Sequence, residues 1–209
     1  MEFTGKSKFK IQRYLGVELP GLGKPGALER KPYRPGQHGM SRKKLSDYSI
    51  QLLEKQKLKY HYGLREYQLK NYVKRSKKVK GTAWIDTLII TLEKRLDNFI
   101  FRGQVANSIA SARQMISHGQ VLVNGKRIDR ANYILNVSDV VTLTEKGVQN
   151  QIYLQAQESP RIPEIPAYIS SKKDTDKINL ELIANPLGMD IPFEFDSRLV
   201  TDFYSRFKV

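Results

Sequence analysis

The expected fold is α+β: a helical N-terminal lobe with an extended basic arm, then a small module built of a helix pair and a sheet, then a C-terminal segment that packs back. Three features of the 209-residue chain lead there. Proline and glycine punctuate residues 1–45, helical periodicity runs from Ser46 to Leu96, and after Phe101 the pattern shortens to brief apolar runs between turn residues. The corresponding segments are 1–45, 46–94, 95–145 and 146–209.

Pro20-Gly21, Gly23, Pro25-Gly26, Pro32, Pro35-Gly36 and Gly39 interrupt any long helix or ladder, so the arm is expected to be irregular and ordered by a partner. Ser46 is placed to cap a first helix, with Asp47 in its first turn and Ile50, Leu53, Lys57 and Leu58 at helical spacing up to Gly63. A second helix is expected over 65–78, with Leu69, Tyr72 and Val73 inward and Gly81 as its stop. Thr82 would cap a third, in which Ile85, Leu88, Ile89, Leu92 and Leu96 form one apolar stripe. Ser108 then caps a helix with Ile109, Ala112, Met115 and Ile116 inward, ended by Gly119. Val121 to Val123, the Asn124-Gly125 turn and Lys126 to Ile128 read as a hairpin, because Asn-Gly tolerates the left-handed conformers of a two-residue loop. Tyr133 to Leu135 and Val140 to Leu143 supply two further strands. The last segment mixes Ile152 and Leu154 with five scattered prolines and is expected to pack on the helical lobe.

Hydrophobic residues at 40% and charged residues at 27% are ordinary for a folded chain, so the basic excess sits on a globular protein. Thirty-six Lys and Arg against 21 Asp and Glu give a net charge of +15. Residues 1–94 hold 22 of the cations against 8 acids, whereas 95–145 hold 6 against 4 and 146–209 hold 8 against 9. A face kept basic for solubility would intersperse the signs. The bias calls for a polyanionic partner, and nucleic acid fits better than an acidic membrane because no basic helix here lacks a core face of its own.

Other classes find no support. With no cysteine, disulfides, thiol nucleophiles and cysteine zinc sites are excluded. His38, His61 and His118 are far apart and lack metal-ligand spacing, and Gly21-Leu22-Gly23-Lys24 runs into Pro25, which cannot open a phosphate-cradling helix. Glu93 and Asp97 share a helix face, but Lys94 and Arg95 beside them favour salt bridging over acid–base work. No enzyme activity, cofactor or metal is therefore expected. Apolar runs such as Leu88-Ile89-Ile90 are too short to span a bilayer, and residues 1–11 have no apolar signal core, so no membrane partner is expected.

Candidate polyanion contacts fall in groups. In the arm they are Lys8, Lys10, Arg13, Arg34 and His38. Arg42-Lys43-Lys44 and Lys74-Arg75 through Lys77-Lys78 lie at element ends without apolar neighbours, which suits phosphate contact, and Arg65 is a further candidate. Lys55, Lys57 and Lys59 alternate with amide and aromatic side chains up to Tyr60 and Tyr62, a pattern that combines phosphate contacts with stacking surfaces for RNA bases. Core packing of the two tyrosines is an equal alternative.

Lys94-Arg95-Leu96-Asp97-Asn98 together with Ala112 to Lys126 resembles the small RNA-binding module named after small-subunit ribosomal protein four. That resemblance implies that Arg95, Arg113, Gln114, His118 and Lys126 lie at or near an RNA face while Val121, Val123, Ile128 and Val141 form the core. A salt bridge from Arg95 to Asp97 is compatible with the same role. The module also occurs in RNA-modifying enzymes, but the flanks are similar to the ribosomal protein family itself: Pro35-Gly36-Gln37-His38-Gly39, Leu45-Ser46-Asp47-Tyr48, Leu53 to Leu58, Tyr62-Gly63-Leu64 and the ending Phe203-Tyr204-Ser205-Arg206. Leu19-Pro20-Gly21-Leu22 and His61-Tyr62-Gly63-Leu64 look most like its cyanobacterial and plastid branch, as does a lean to 22 Lys over 14 Arg. Two departures from relatives are the missing N-terminal cysteines and Arg102-Gly103-Gln104, where Arg-Leu-Gly is usual. The resemblance implies a structural component of the small ribosomal subunit that binds its rRNA, nucleates assembly of the subunit body and supports accuracy near the mRNA entry channel. The implied partners are rRNA, neighbouring proteins including small-subunit protein five, and mRNA. The implied compartment is the plastid stroma, with a bacterial cytoplasm as alternative. An RNA-modifying enzyme or a free RNA chaperone is the rival reading.

Overall fold

The computed structural model describes residues 7–41, 44–162, 164–174, 177–188 and 190–206. In chain order these form α1 (Lys8–Leu15), α2 (Ala27–Arg30), α3 (Asp47–His61), α4 (Glu66–Ser76), α5 (Trp84–Glu93), α6 (Leu96–Arg102), α7 (Ile109–Ser117), β1 (Val121–Val123), β2 (Lys126–Arg127), β3 (Val140–Leu143), α8 (Glu145–Val148), α9 (Gln151–Glu158), β4 (Ile169–Asp174), β5 (Lys177–Leu182) and α10 (Ser197–Ser205). They divide into two compact units, Met1–Lys78 with Ile191–Val209, and Val79–Asp190. The mixture of helices with one antiparallel sheet is the α+β class read from the sequence.

The first unit is helical. The arm is not irregular throughout: α1 occupies the stretch between Gly5 and Gly16, and Gly16 ends it in the left-handed region at φ 73°, its N–H bonding the Gln12 carbonyl. Ile11, Leu15 and Leu19 are buried together, with Tyr14, Leu53 and Tyr60 packed against them, so this part of the arm is ordered by its own apolar face. Beyond α2 the chain from Lys31 to Ser41 is loop, as the Pro/Gly punctuation requires. Ser46 caps α3, accepting a hydrogen bond from Ser49 N–H. α3 packs against both α1 and α10, and α10 contributes Val200, Phe203 and Tyr204 to the interior.

The second unit centres on a five-stranded antiparallel sheet of order β2-β1-β3-β5-β4, with Val121, Val123, Val141, Leu143, Leu180 and Leu182 in one core with Leu96, Phe99 and Ile100 of α6 and Met115 and Ile116 of α7. The Asn124-Gly125 turn forms as expected, with φ 49° and 76°. Ser108 caps α7 through Ser111 N–H, and Gly119 follows it at φ 67°.

Four expectations need correction. The stripe from Ile85 to Leu96 is two helices, because Leu96 N–H bonds the Tyr133 carbonyl at 2.8 Å and Leu135 N–H bonds the Lys94 carbonyl at 2.9 Å, an exchange that breaks the helical ladder at Arg95. Tyr133 to Leu135 is consequently a single bridge, Arg95 to Ile134, not a strand. Thr82 does not cap α5; Ala83 holds that position and the Thr82 hydroxyl bonds Thr87 Oγ1 at 2.9 Å. The segment after 145 does not all pack on the helical lobe: β5 pairs with β3, Val141 opposite Leu180, and only residues from Ile191 on belong to the first unit. The alternation Ile178, Leu180, Leu182 supplies one apolar face, which the module's sheet buries. Gly103 permits this approach, since a Cβ there would collide with Leu180 Cδ1. By packing, the compact units divide after Lys78, and the chain returns to the first unit at Ile191.

Candidate nucleic-acid interface

In the second unit, the break between α5 and α6 sets Arg95 and Asp97 beside α7. The Asp97 carboxylate is fully buried and accepts three charged hydrogen bonds: Arg95 Nε at 3.0 Å on Oδ1, Arg95 Nη2 at 2.7 Å on Oδ2, and Arg113 Nε at 2.7 Å on Oδ2. Arg95 is 4% exposed, whereas the Arg113 side chain is 32% exposed. One carboxylate thus fixes an inner and an outer guanidinium, and only the outer one reaches the surface. Arg95 is placed behind the face, not on it, and the salt bridge to Asp97 is the reading that the geometry fulfils. Gln114 is exposed on α7, His118 is exposed at its C-terminal cap, and Lys126 is exposed on β2. Arg127, next along the same short strand, is exposed too and lies over Gly119, where a Cβ would meet its side chain at 2.9 Å. Arg127 is not among the sequence-based candidates, although a two-residue edge strand leaves both of its side chains open to solvent.

A buried relay stands behind this face. Glu93, also fully buried, accepts from Tyr168 Oη at 2.8 Å and Asn98 Nδ2 at 2.8 Å and lies 3.4 Å from Arg102 Nε, while Arg102 Nη2 bonds the Asp190 carbonyl at 2.6 Å. Burial, and then the Glu93 charge, push the Tyr168 hydroxyl far above its ordinary value. Glu93 and Asp97 are therefore two separate structural anchors, each neutralised by arginine.

In the first unit the candidates divide by exposure. Lys8, Lys10, His38, Lys44, Arg65, Lys74 and Arg75 are exposed, and Arg13 and Arg34 are half-buried. Arg13 Nε bonds the Tyr33 carbonyl at 3.0 Å with the guanidinium 5.0 Å from the Tyr33 ring, and Arg34 lies 5.3 Å from the Tyr14 ring. These stacks tie the loop to α1. Arg42 and Lys43 lie outside the described residues.

The alternating lysines of α3 are not surface groups. Lys55, Lys57 and Lys59 are each less than 10% exposed. Lys55 Nζ bonds Glu66 at 2.6 Å and sits 4.9 Å from the Phe203 ring, Lys57 pairs with Glu54 and bonds the Glu194 carbonyl at 3.3 Å, and Lys59 lies 3.5 Å from Glu66. Their cations are consumed inside the unit because α10 and the start of α4 close over the helix. Burial would raise the Glu66 carboxyl, but the Lys55 hydrogen bond and the charges of Lys55 and Lys59 bring it below the ordinary carboxylate value. Tyr62 is buried and Tyr60 half-buried, and burial, then Tyr14 and Glu66, push the Tyr60 hydroxyl up strongly. For both tyrosines the packing alternative holds. Lys78 is exposed as well, and so is Lys70, which is not among the sequence-based candidates although it lies one helical turn before Lys74. Among the described residues no three His, Asp or Glu side chains are grouped to hold a metal ion, and no helix is long and apolar enough to cross a membrane.

Residues 4–93 match the model for the ribosomal protein S4/S9 N-terminal domain, and residues 94–141 match that of the S4 domain. The chain is 47% identical over 206 residues to small ribosomal subunit protein uS4B of Bdellovibrio bacteriovorus, covering 98% of this chain and 99% of that protein. The chain belongs to the uS4 family. Small ribosomal subunit proteins uS4 of Listeria monocytogenes, 38% identical over 205 residues, and Ligilactobacillus salivarius, 39% over 207, each pair 98% of this chain with 98% of their own length. The boundary between the two uS4-family matches falls at the helix break before Arg95, while the compact units divide at Lys78, so α5 matches the N-terminal domain in sequence yet packs with the sheet unit.

Proposed function

We propose that this uS4-family chain is a structural, rRNA-binding component of the small ribosomal subunit, with no catalytic role. The observation that carries it is similarity along the whole chain to proteins named small ribosomal subunit protein uS4, joined to a strongly basic surface. On this reading the exposed cations of the first unit, Lys8, Lys10, Lys44, Arg65, Lys74 and Arg75, contact phosphates, and Arg113, Gln114, His118 and Lys126 form the contact face of the second. Lys55, Lys57, Lys59, Arg95 and Tyr62 support those faces from within. Each phosphate neutralised lowers log K by about 0.7–0.9 per decade of salt, so several phosphates gathered by one protein make binding tight and salt-sensitive. Bringing several RNA backbones together in this way is how the chain would nucleate assembly of the subunit body.

The finer parts of the proposal are neighbours and place. Small-subunit protein five and mRNA near the entry channel, with a contribution to accuracy there, rest on the family resemblance. For the compartment, the bacterial relatives support a bacterial cytoplasm, and the plastid stroma rests on the Leu19–Leu22 and His61–Leu64 motifs and the lysine-rich composition. Sedimentation of native extract through a high-salt wash tests the core reading: the chain is expected to travel with small subunits and to bind isolated small-subunit rRNA with a steep salt slope. A chain that stays at the top of the gradient and binds RNAs of any kind alike would instead be a free RNA chaperone.

A further inference from the structure

Helix α4 buries Leu69, Val73 and Ser76 and turns its other face outward. Tyr67, Asn71 and Lys74 follow one another at spacings of four and three residues, so they line one stripe, about 10 Å long at 1.5 Å rise per residue, that points on to Lys78 just past the helix end. Lys70 and Arg75 flank it, and all six are exposed. The one acid of the helix, Glu66, is engaged by Lys55 and Lys59, so nothing on α4 offsets these cations.

Tyr67 is the unusual member. At 57% it is the most exposed aromatic side chain among the described residues, and neither its ring nor its hydroxyl has a partner there. It stands beside amides and ammonium groups and not within an apolar patch. A stripe kept for solubility has no use for such a ring, and a duplex backbone has no base face to offer it. An unpaired base does, and sequence-tolerant stacking on an aromatic ring with cations tracking the backbone is how single strands are held.

We infer that this face of α4 binds an unpaired stretch of RNA: the Tyr67 ring stacks on one splayed-out base while Lys70, Lys74, Arg75 and Lys78 hold phosphates of the same strand. The inference rests on the rRNA-binding function proposed above and adds to it the conformation of the RNA taken at this face. Stacking is not ionic, so the ring and the lysines have separable signatures.

The test is filter binding of the full-length chain to transcribed bacterial small-subunit rRNA and to a fully paired RNA duplex, each across a range of salt. Tyr67→Ala is expected to weaken rRNA binding about fivefold or more with an unchanged salt slope, and to leave duplex binding unchanged. Tyr67→Phe should stay within about twofold of the unaltered chain, because the ring face and not the hydroxyl does the stacking. Lys70→Gln with Lys74→Gln and Lys78→Gln should flatten the salt slope by about 2 to 3, the share of three phosphates. Equal rRNA binding by Tyr67→Ala and the unaltered chain, an equal loss on duplex, or a loss for Tyr67→Phe as large as for Tyr67→Ala overturns the inference while the parent function stands. Failure of the unaltered chain to bind rRNA overturns both. As Tyr67 is a surface residue, matching thermal melts of the variants confirm that the fold is unaffected.

Discussion

Arg113 Nε donates to Asp97 Oδ2 at 2.7 Å, and the same carboxylate holds the buried Arg95 by two further bonds, so the direction of a surface arginine is set by a residue with no exposure of its own. Removing the carboxylate charge leaves Arg95 buried without compensation, which costs far more than trimming the outer arginine. Asp97→Asn is expected to destabilise the second unit by about 3–5 kcal/mol. Arg113→Ala should cost about 1 kcal/mol or less, since its side chain is partly solvated. Trp84, the chain's single tryptophan, belongs to this unit, and its fluorescence during urea unfolding reads the difference.

Charge reversal separates the buried lysines from the exposed ones. Lys57→Glu would put a second carboxylate against Glu54 at a site where both side chains are about 10% exposed or less, and a loss of about 3–5 kcal/mol is expected, read as a lowered melting point by circular dichroism. Lys74→Glu, on the open face of α4, should change stability by about 0.5 kcal/mol or less and yet weaken rRNA binding with a shallower salt slope. Were the two variants to melt alike, the burial of Lys57 would be wrong.

What the sequence made legible was local. Ser46 and Ser108 are caps because a short hydroxyl one step before an apolar period satisfies orphan N–H groups, and Asn124-Gly125 turns because both residues accept positive φ. What it hid was set by partners distant in the chain. Lys55 reads as a surface cation until Glu66 and Phe203, the latter from α10, close over it. The stripe from Ile85 to Leu96 reads as one helix until Tyr133 and Leu135 take its backbone groups at Arg95. β5 shows alternation in Ile178, Leu180 and Leu182, but nothing local says that β3 is its neighbour. The candidate contacts divide in the same way: Lys55, Lys57 and Lys59 are covered by acids and by α10, and Arg95 by Asp97, whereas Lys74 and Arg75 on α4 meet no such cover and stay exposed.

Glu66 gives the first unit an acid-sensitive element. Its carboxyl is held below the ordinary 4.5 once the Lys55 bond and the charges of Lys55 and Lys59 have overcome burial. A folded value below the unfolded one adds stability above the unfolded value and loses it as pH falls through the folded one. Stability should therefore begin to fall as pH drops past about 4.5. Glu66→Gln should show a flatter acid limb in melts from pH 6 to pH 3 than the unaltered chain, with the difference confined to that range. The side chain is 44% exposed, so the effect is expected to be modest.

Tyr168 poses the opposite case in the second unit. Its hydroxyl donates to Glu93 Oε2 at 2.8 Å and lies 3.4 Å from Arg102 Nε, and burial beside that carboxylate pushes it well above the ordinary 10. A raised folded value means stability that is complete below pH 10 and is lost as pH climbs beyond it, since the unfolded chain then sheds this proton first. Tyr168→Phe removes the titrating group and one of the donors that satisfy Glu93. At neutral pH it should cost about 1–3 kcal/mol, the penalty of a buried acceptor left short of a donor. Above pH 10 the gap between the variant and the unaltered chain should narrow, as the unaltered protein alone loses stability through this hydroxyl. Urea unfolding followed by Trp84 fluorescence at neutral and alkaline pH measures both quantities, and a gap that widens with pH would show that burial and the Glu93 charge do not hold the hydroxyl neutral.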